Sequence, residues 1–257
     1  YSQSEMCLPC HDFVMRDVEA EITFTEWNRI PEFAMSGSFP CQSCHMTVQP
    51  DGHHDHSFAG VDVDLTYPYG TSPQHYKVQA LLETAAKLEF GAASYTLPSS
   101  VNSGDILEVP LTISSLTGHN LPSGTGFNRE VWLEMVVLNG IDTIFQSGVI
   151  PNNYAPLNRN DPDLLLFTYY LLDEHGDTTY SITETHDFIN ESLGGLAYRY
   201  KLYEVLIPQG VSGELDVSVK MNFRPFRPEI LALSNPDLVE NLPVFNIDSI
   251  STKVAVK

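Results

Sequence analysis

Hydrophobic and polar positions follow different rules on the two sides of residue 92. Beyond it, apolar residues alternate with polar ones, the period of a strand with one buried face. Leu107, Val109, Leu111 and Ile113 form the first such run. Pro110 on that run points to an edge strand, because proline brings no N–H to a ladder. Val131 to Leu138 is an apolar strand, and Asn139-Gly140 predicts a hairpin turn into Ile144-Phe145. Leu165 to Leu172 is a further apolar run. Tyr203, Val205 and Ile207 alternate before Pro208, and Leu215, Val217, Val219, Met221 and Phe223 give the cleanest alternation. Pro228 to Leu242 reads as a short helical insertion, and Val244-Phe245 with Val254 to Val256 closes the series. Short strands of this kind, separated by turns, predict an antiparallel β-sandwich over residues 93–257.

Residues 1–92 show no such alternation and read as mostly irregular and helical, which makes the whole chain α+β. Thr25 to Arg29 predicts a short helix, with Thr25 as its N-cap and its end before Pro31. A longer helix is expected over Pro73–Phe90. Ser72 would cap it, Pro73 suits its first position, and Gly91 would end it. Val78, Leu81, Leu82, Ala85 and Leu88 recur there at helical spacing.

Composition narrows the class of partner. The chain of 257 residues carries 33 Asp and Glu against 13 Lys and Arg, a formal charge of −20. That balance argues against nucleic acid and against an anionic lipid surface, both of which select basic faces. It keeps an exported protein soluble, and nearby carboxylates would favour an oxidised over a reduced metal. No run approaches the roughly 20 apolar residues of a membrane span. The chain opens at Tyr1 without a basic-then-apolar leader, so a removed signal peptide or a truncation is expected before it.

The chemistry lies in the four cysteines, all within the first 45 residues. They form Cys7-Leu8-Pro9-Cys10-His11 and Cys41-Gln42-Ser43-Cys44-His45. Cys-x-x-Cys-His is the attachment pattern of a c-type haem: two thioethers to the porphyrin, and the adjoining histidine on the iron. On this reading Cys7, Cys10, Cys41 and Cys44 hold two haems c, and His11 and His45 are the proximal ligands. Two spaced Cys-x-x-Cys pairs also suit zinc, but zinc does not ask for a histidine after each pair. Two structural disulfides are the remaining alternative in an exported protein. A thioredoxin-like pair would need a βαβ context, which neither motif has. Attachment of this kind takes place outside the cytoplasm, so a periplasmic or extracellular location is expected.

What the irons do depends on their second axial ligand. A histidine leaves the haem able only to pass electrons, whereas an open position admits small molecules. His53, His54 and His56 follow the second motif in a polar loop. His75 opens the Pro73–Phe90 helix, and His119 sits in a turn-rich loop after the first strand. His175 and His186 read as surface residues. Met46 adjoins His45 and cannot reach the far side of the same iron, and Met6, Met15 and Met35 read as packing. Asn158 to Asp163 is acidic enough for calcium but lacks EF-hand spacing.

Several segments resemble the C-terminal part of bacterial multihaem c-type cytochromes. They are Cys41-Gln42-Ser43-Cys44-His45-Met46, His54-Asp55-His56-Ser57-Phe58-Ala59-Gly60, Gly118-His119-Asn120-Leu121-Pro122-Ser123-Gly124 and Arg129-Glu130-Val131-Trp132-Leu133. Thr25-Glu26-Trp27 and Phe223-Arg224-Pro225-Phe226 fit the same pattern. The resemblance implies a haem-binding region, residues 1–92, followed by a β-sandwich-like domain, residues 93–257. It implies His56 and His119 as distal ligands, with His54, His53 and His75 as the alternatives. Such proteins usually carry more haems, which implies a fragment or a subunit whose haems stack against those of its neighbours.

Three functions follow for comparison. The first is an exported dihaem electron carrier whose partners are redox proteins or other cytochrome subunits. The second is a haem enzyme with one open iron acting on a small molecule. The third is a subunit of a polymeric extracellular assembly, a homo-oligomer or filament, whose β domain makes the contacts.

Overall fold

The computed structural model describes residues 3–15, 18–34 and 39–257. Met35, read above as a packing residue, lies outside them. The haem-motif region is built from single turns of helix. These are α1 (Leu8–His11), α2 (Thr23–Asn28), α3 (Pro31–Ala34) and α4 (Cys41–His45), with a ribbon of β1 (Phe13–Met15) and β2 (Val18–Glu21). Helices of four to six residues do not stand by propensity. α2 starts two residues earlier than expected, and Thr25 does not cap it. Its hydroxyl donates instead to Asp12 Oδ2 at 2.6 Å.

The long helix expected over Pro73–Phe90 divides. Its first half is α5 (His75–Leu82), which buries Val78 and Leu82. Its second half is a strand, β3 (Ala86–Phe90), with Ala86 and Leu88 inside and Lys87 and Glu89 outside. Ala85 and Leu88 fit a helical period, but the alternation of Ala86 to Glu89 fits the pleat better, and pairing with a neighbouring strand decides it. Ser72 does not cap α5; its hydroxyl donates to Gln74 Oε1, and Gln74 is the N-cap. Gly91, at φ 116°, ends the strand rather than a helix.

The remaining strands are β4 (Ser100–Val101), β5 (Ile106–Ser115), β6 (Glu130–Asn139), β7 (Asp142–Ser147), β8 (Leu166–Phe167), β9 (Tyr169–Leu172), β10 (Thr178–Thr179), β11 (Asp187–Asn190), β12 (Tyr198–Leu206), β13 (Gly213–Arg224) and β14 (Phe245–Val256). One sheet runs β4-β14-β13-β6-β7, with β8 pairing β6 beside it; another runs β12-β5-β3. The pairing is antiparallel except between β14 and β4. The inward rows close one core: Leu107, Val109, Leu111 and Ile113 from β5, Tyr203 and Val205 from β12, and Leu215 to Phe223 at alternate positions from β13. A small third sheet, β10-β9-β11, stands apart.

Three expectations change in detail. β5 is the central strand of its sheet, not an edge. Pro110 is tolerated there because β3 gives out opposite Leu111, and beyond it only the Gly91 N–H reaches the Pro110 carbonyl. The apolar run Leu165–Leu172 splits between two sheets as β8 and β9. Phe245 to Val256 is one long strand with a bulge between Met221 and Asn222 of its partner. The insertion after Pro228 is helical as expected, with α6 (Pro228–Ser234) followed by a 3₁₀ segment at Pro236–Asn241.

Candidate functional site

Each Cys-x-x-Cys-His segment winds into one helical turn. The Cys10 and His11 N–H groups both donate to the Cys7 carbonyl, and α4 carries Cys41, Cys44 and His45. Residues three and four apart on a turn share a face, so both thiols and the histidine of a motif point the same way. The two motifs are stitched together: Cys41 N–H donates to Ser4 Oγ at 3.0 Å, and Gln42 Nε2 donates to the Gln3 carbonyl at 2.9 Å. No disulfide joins any two of the four cysteines. Burial, then the neighbouring Cys41 thiol, raises the pKa of Cys7; burial, then Cys41, raises that of Cys44.

The loop Gly118–Gly124 brings His119 to His45. Their ring centres lie 6.3 Å apart with the planes 24° from parallel. Each ring is oriented by the same device. His45 Nδ1–H donates to the Ala59 carbonyl at 2.6 Å, and His119 Nδ1–H donates to the Asn120 carbonyl at 2.8 Å. A proton fixed on Nδ1 leaves the Nε2 lone pair of each imidazole for a metal. His54 is held likewise, its Nδ1–H donating to the Met46 carbonyl at 2.6 Å. Burial, with smaller contributions from His45, Arg129 and His11, pushes the pKa of His119 down to about 4 against a hydrogen bond to Asn120.

The remaining candidates stand elsewhere. His53 is exposed beside Asp51, at 3.4 Å. His56 is exposed with its ring over Phe58. His75 packs on Phe245, ring centres 4.7 Å apart, and does not meet either motif histidine. His175 and His186 are exposed, as expected. The acidic stretch considered for calcium uses its oxygens internally. Asp161 accepts from Ser147 Oγ, Gly148 N–H and Asp163 N–H, and Asn158 Oδ1 accepts from Asn160 N–H. Among the described residues, no group of three or more His, Cys, Asp or Glu is arranged to hold a metal ion.

Two carboxylates beneath the His119 loop escaped the sequence reading. Glu26 of α2 is buried, and Glu21 lies beside it at the end of β2. A chain of short contacts joins them: Glu26 Oε2 to Ser123 Oγ at 2.6 Å, Ser123 Oγ to Thr23 Oγ1 at 2.7 Å, and Thr23 Oγ1 to Glu21 Oε1 at 2.5 Å. Burial raises the pKa of Glu26 against the hydrogen bonds it accepts from Ser123, Tyr169 and Asn120. The loop is pinned from its other side too. Leu121 and Leu193 exchange backbone hydrogen bonds of 2.7 and 2.9 Å. Gly195 passes so close that a Cβ there would meet His119 N at 2.9 Å and O at 3.0 Å.

The fold is similar to that of the penta-heme cytochrome c552 from Thermochromatium tepidum, at TM-score 0.68 and 20% identity. The likeness covers 98% of this chain and 56% of that one, so the chain spans little more than half of that protein's length. At this identity it is a likeness of fold. Two weaker likenesses carry no argument. One is to the CARDB domain of a Pyrococcus furiosus protein, at TM-score 0.25 and 11% identity over 67% of this chain and 86% of that one. The other is to a beta-glucosidase from Listeria innocua, at TM-score 0.29 and 13% identity over 73% and 17%. No protein-family model matches the chain, and no curated protein is similar to it. Among the described residues, no helix is long and apolar enough to cross a membrane.

Proposed function

We propose that the chain is an electron-transferring part of an exported c-type cytochrome, with two haems c attached at Cys7/Cys10 and Cys41/Cys44 in residues 1–92 and a β-sandwich from residue 93 onward as their scaffold. His11 and His45 are the proximal ligands. The observation that carries the reading is the His45–His119 pair. A metal–imidazole bond of about 2.0 Å on each side, with roughly 1.1 Å from each nitrogen to its ring centre, sets two opposed ligands about 6.2 Å apart. The rings stand at 6.3 Å, each with Nε2 left free. For the other haem, His54 is the proposed second ligand ahead of His56, because only His54 of the two has its Nδ1 anchored on a carbonyl in the manner of His45 and His119.

The surroundings suit a porphyrin. Met6, Leu8, Phe13, Val14, Met15, Phe39, Val48 and Phe58 all stand exposed along the segments that carry the motifs, an apolar surface that a flat apolar macrocycle would cover. A bound haem supplies one reversibly exchanged electron. The chain's own residues do the rest. The carbonyls of Ala59 and Asn120 fix ring orientation and raise imidazole basicity, which favours the oxidised state. The acidic surface directs the protein to redox partners or other cytochrome subunits rather than to nucleic acid.

Intact mass and ferric paramagnetic resonance test this together. The expected result is a mass above that of the bare polypeptide by two haems, two low-spin signals and no carbon monoxide binding to the ferrous protein without displacement of a histidine. A bare polypeptide mass, or stoichiometric zinc, would end the reading.

A further inference from the structure

We infer that Glu26 is the positioning residue of the His119 loop, a role that rests on the assignment of His45 and His119 to one iron. Glu26 is 5% exposed. Oε2 accepts from the Asn120 N–H at 3.1 Å, directly after His119, and contacts Ser123 Oγ at 2.6 Å, at the far end of the loop. Oε1 accepts from the Tyr169 hydroxyl at 2.7 Å, which ties the same carboxyl to the start of β9. One side chain from the haem-motif region thus grips the loop at two points and anchors it to the sandwich. No turn of regular structure holds this loop; it lies between β5 and the 3₁₀ turn Gly126–Asn128. Without Glu26, the Asn120 N–H and the Ser123 hydroxyl lose a buried partner. His119 would then be held only by the iron bond, the Thr117 hydroxyl on its carbonyl and the Leu121–Leu193 pair, against more of the entropy of the loop.

The network also says which replacement should serve. A glutamine at 26 can keep an amide oxygen under Asn120 and Ser123 and turn its NH₂ to Tyr169, whereas alanine keeps neither contact. Glu26→Ala should therefore convert one haem of the two to high spin, with the other unchanged as the internal reference. Added imidazole should return it to low spin, and Glu26→Gln should keep it low-spin. Ser123→Ala, which removes one grip only, should give a smaller high-spin fraction at the same haem; it decides the matter in the same way if Glu26→Ala does not fold.

Two unchanged low-spin signals in Glu26→Ala, or in Ser123→Ala where that variant is the one that folds, would overturn the inference. So would a Glu26→Gln protein as defective as Glu26→Ala. A wild-type protein already high-spin, or free of haem, would instead count against the ligand assignment itself.

Discussion

The sandwich and the haem-motif region solve the same problem with opposite means. In the sandwich, every inward side chain named above from β5, β12 and β13 is at most 1% exposed, and the rows from two sheets fill one core. Among the described residues of the first 58, eight large apolar side chains stand 38–63% exposed, and no helix exceeds six residues. One region carries its own core; the other leaves large apolar side chains in the open. The His119 loop joins them, since it belongs by sequence to the sandwich and by contact to Glu26 and His45.

The sharpest way to break the comparison is to remove the tether. Replacing Cys7, Cys10, Cys41 and Cys44 together by serine should unfold α1, α2 and α4 while the sandwich persists. Hydrogen exchange should then show fast amides over residues 8–45 and slow ones in β5, β6 and β13. Loss of protection in both regions together would mean that they fold as one unit.

The next largest effect lies inside the sandwich. Glu130 and Arg224 form a fully buried ion pair, with Arg159 on the other carboxylate oxygen and two carbonyls on Arg224. Glu130→Ala strands a buried guanidinium, so it should lower unfolding free energy by about 3–5 kcal/mol. Denaturant melts would read it, with the haem spectra of the folded protein unaltered.

Acid should act at the junction. His119 keeps its proton off until about pH 4, where an ordinary histidine takes one near 6.5. A histidine held neutral stabilises the fold fully above its unfolded pKa and progressively less as pH falls through 6.5 toward 4. The His45 haem should therefore stay low-spin in mild acid and lose its second ligand only around pH 4 or below. A spin change near pH 6 would show that the loop is open to water. The smallest effect belongs to the hairpin tip, where Ile141 is 96% exposed. Ile141→Ser should change stability by less than about 0.5 kcal/mol.

Alternation made β5, β12 and β13 legible in the sequence, because a pleated strand with one dry face leaves no other pattern, and β6 was legible as an unbroken apolar run. The end of α5 was not legible. Ala85 and Leu88 satisfy a period of three or four as well as a period of two, and the partner that settles it, β5, lies more than twenty residues further on. Pro110 misled for a related reason: whether a missing N–H matters depends on where the neighbouring strand stops. At the site, Cys-x-x-Cys-His singled out His45 and the resemblance singled out His119 alongside His56, but which histidine faces which motif was not legible in the sequence. Glu26 entered only as part of Thr25-Glu26-Trp27, and its role could not be seen, since its partners Ser123 and Tyr169 are 97 and 143 positions away. A charged residue reads as surface until the groups that satisfy it are known.

Central to the proposed function is an iron held between His45 and His119, and the spin state of a His119→Ala protein tests it most directly. Paramagnetic resonance of that ferric variant should show one haem high-spin and one low-spin, with added imidazole restoring the first. If both haems remain low-spin, with signals like those of the unaltered protein, His119 is not a ligand and the junction between the two regions has been misread.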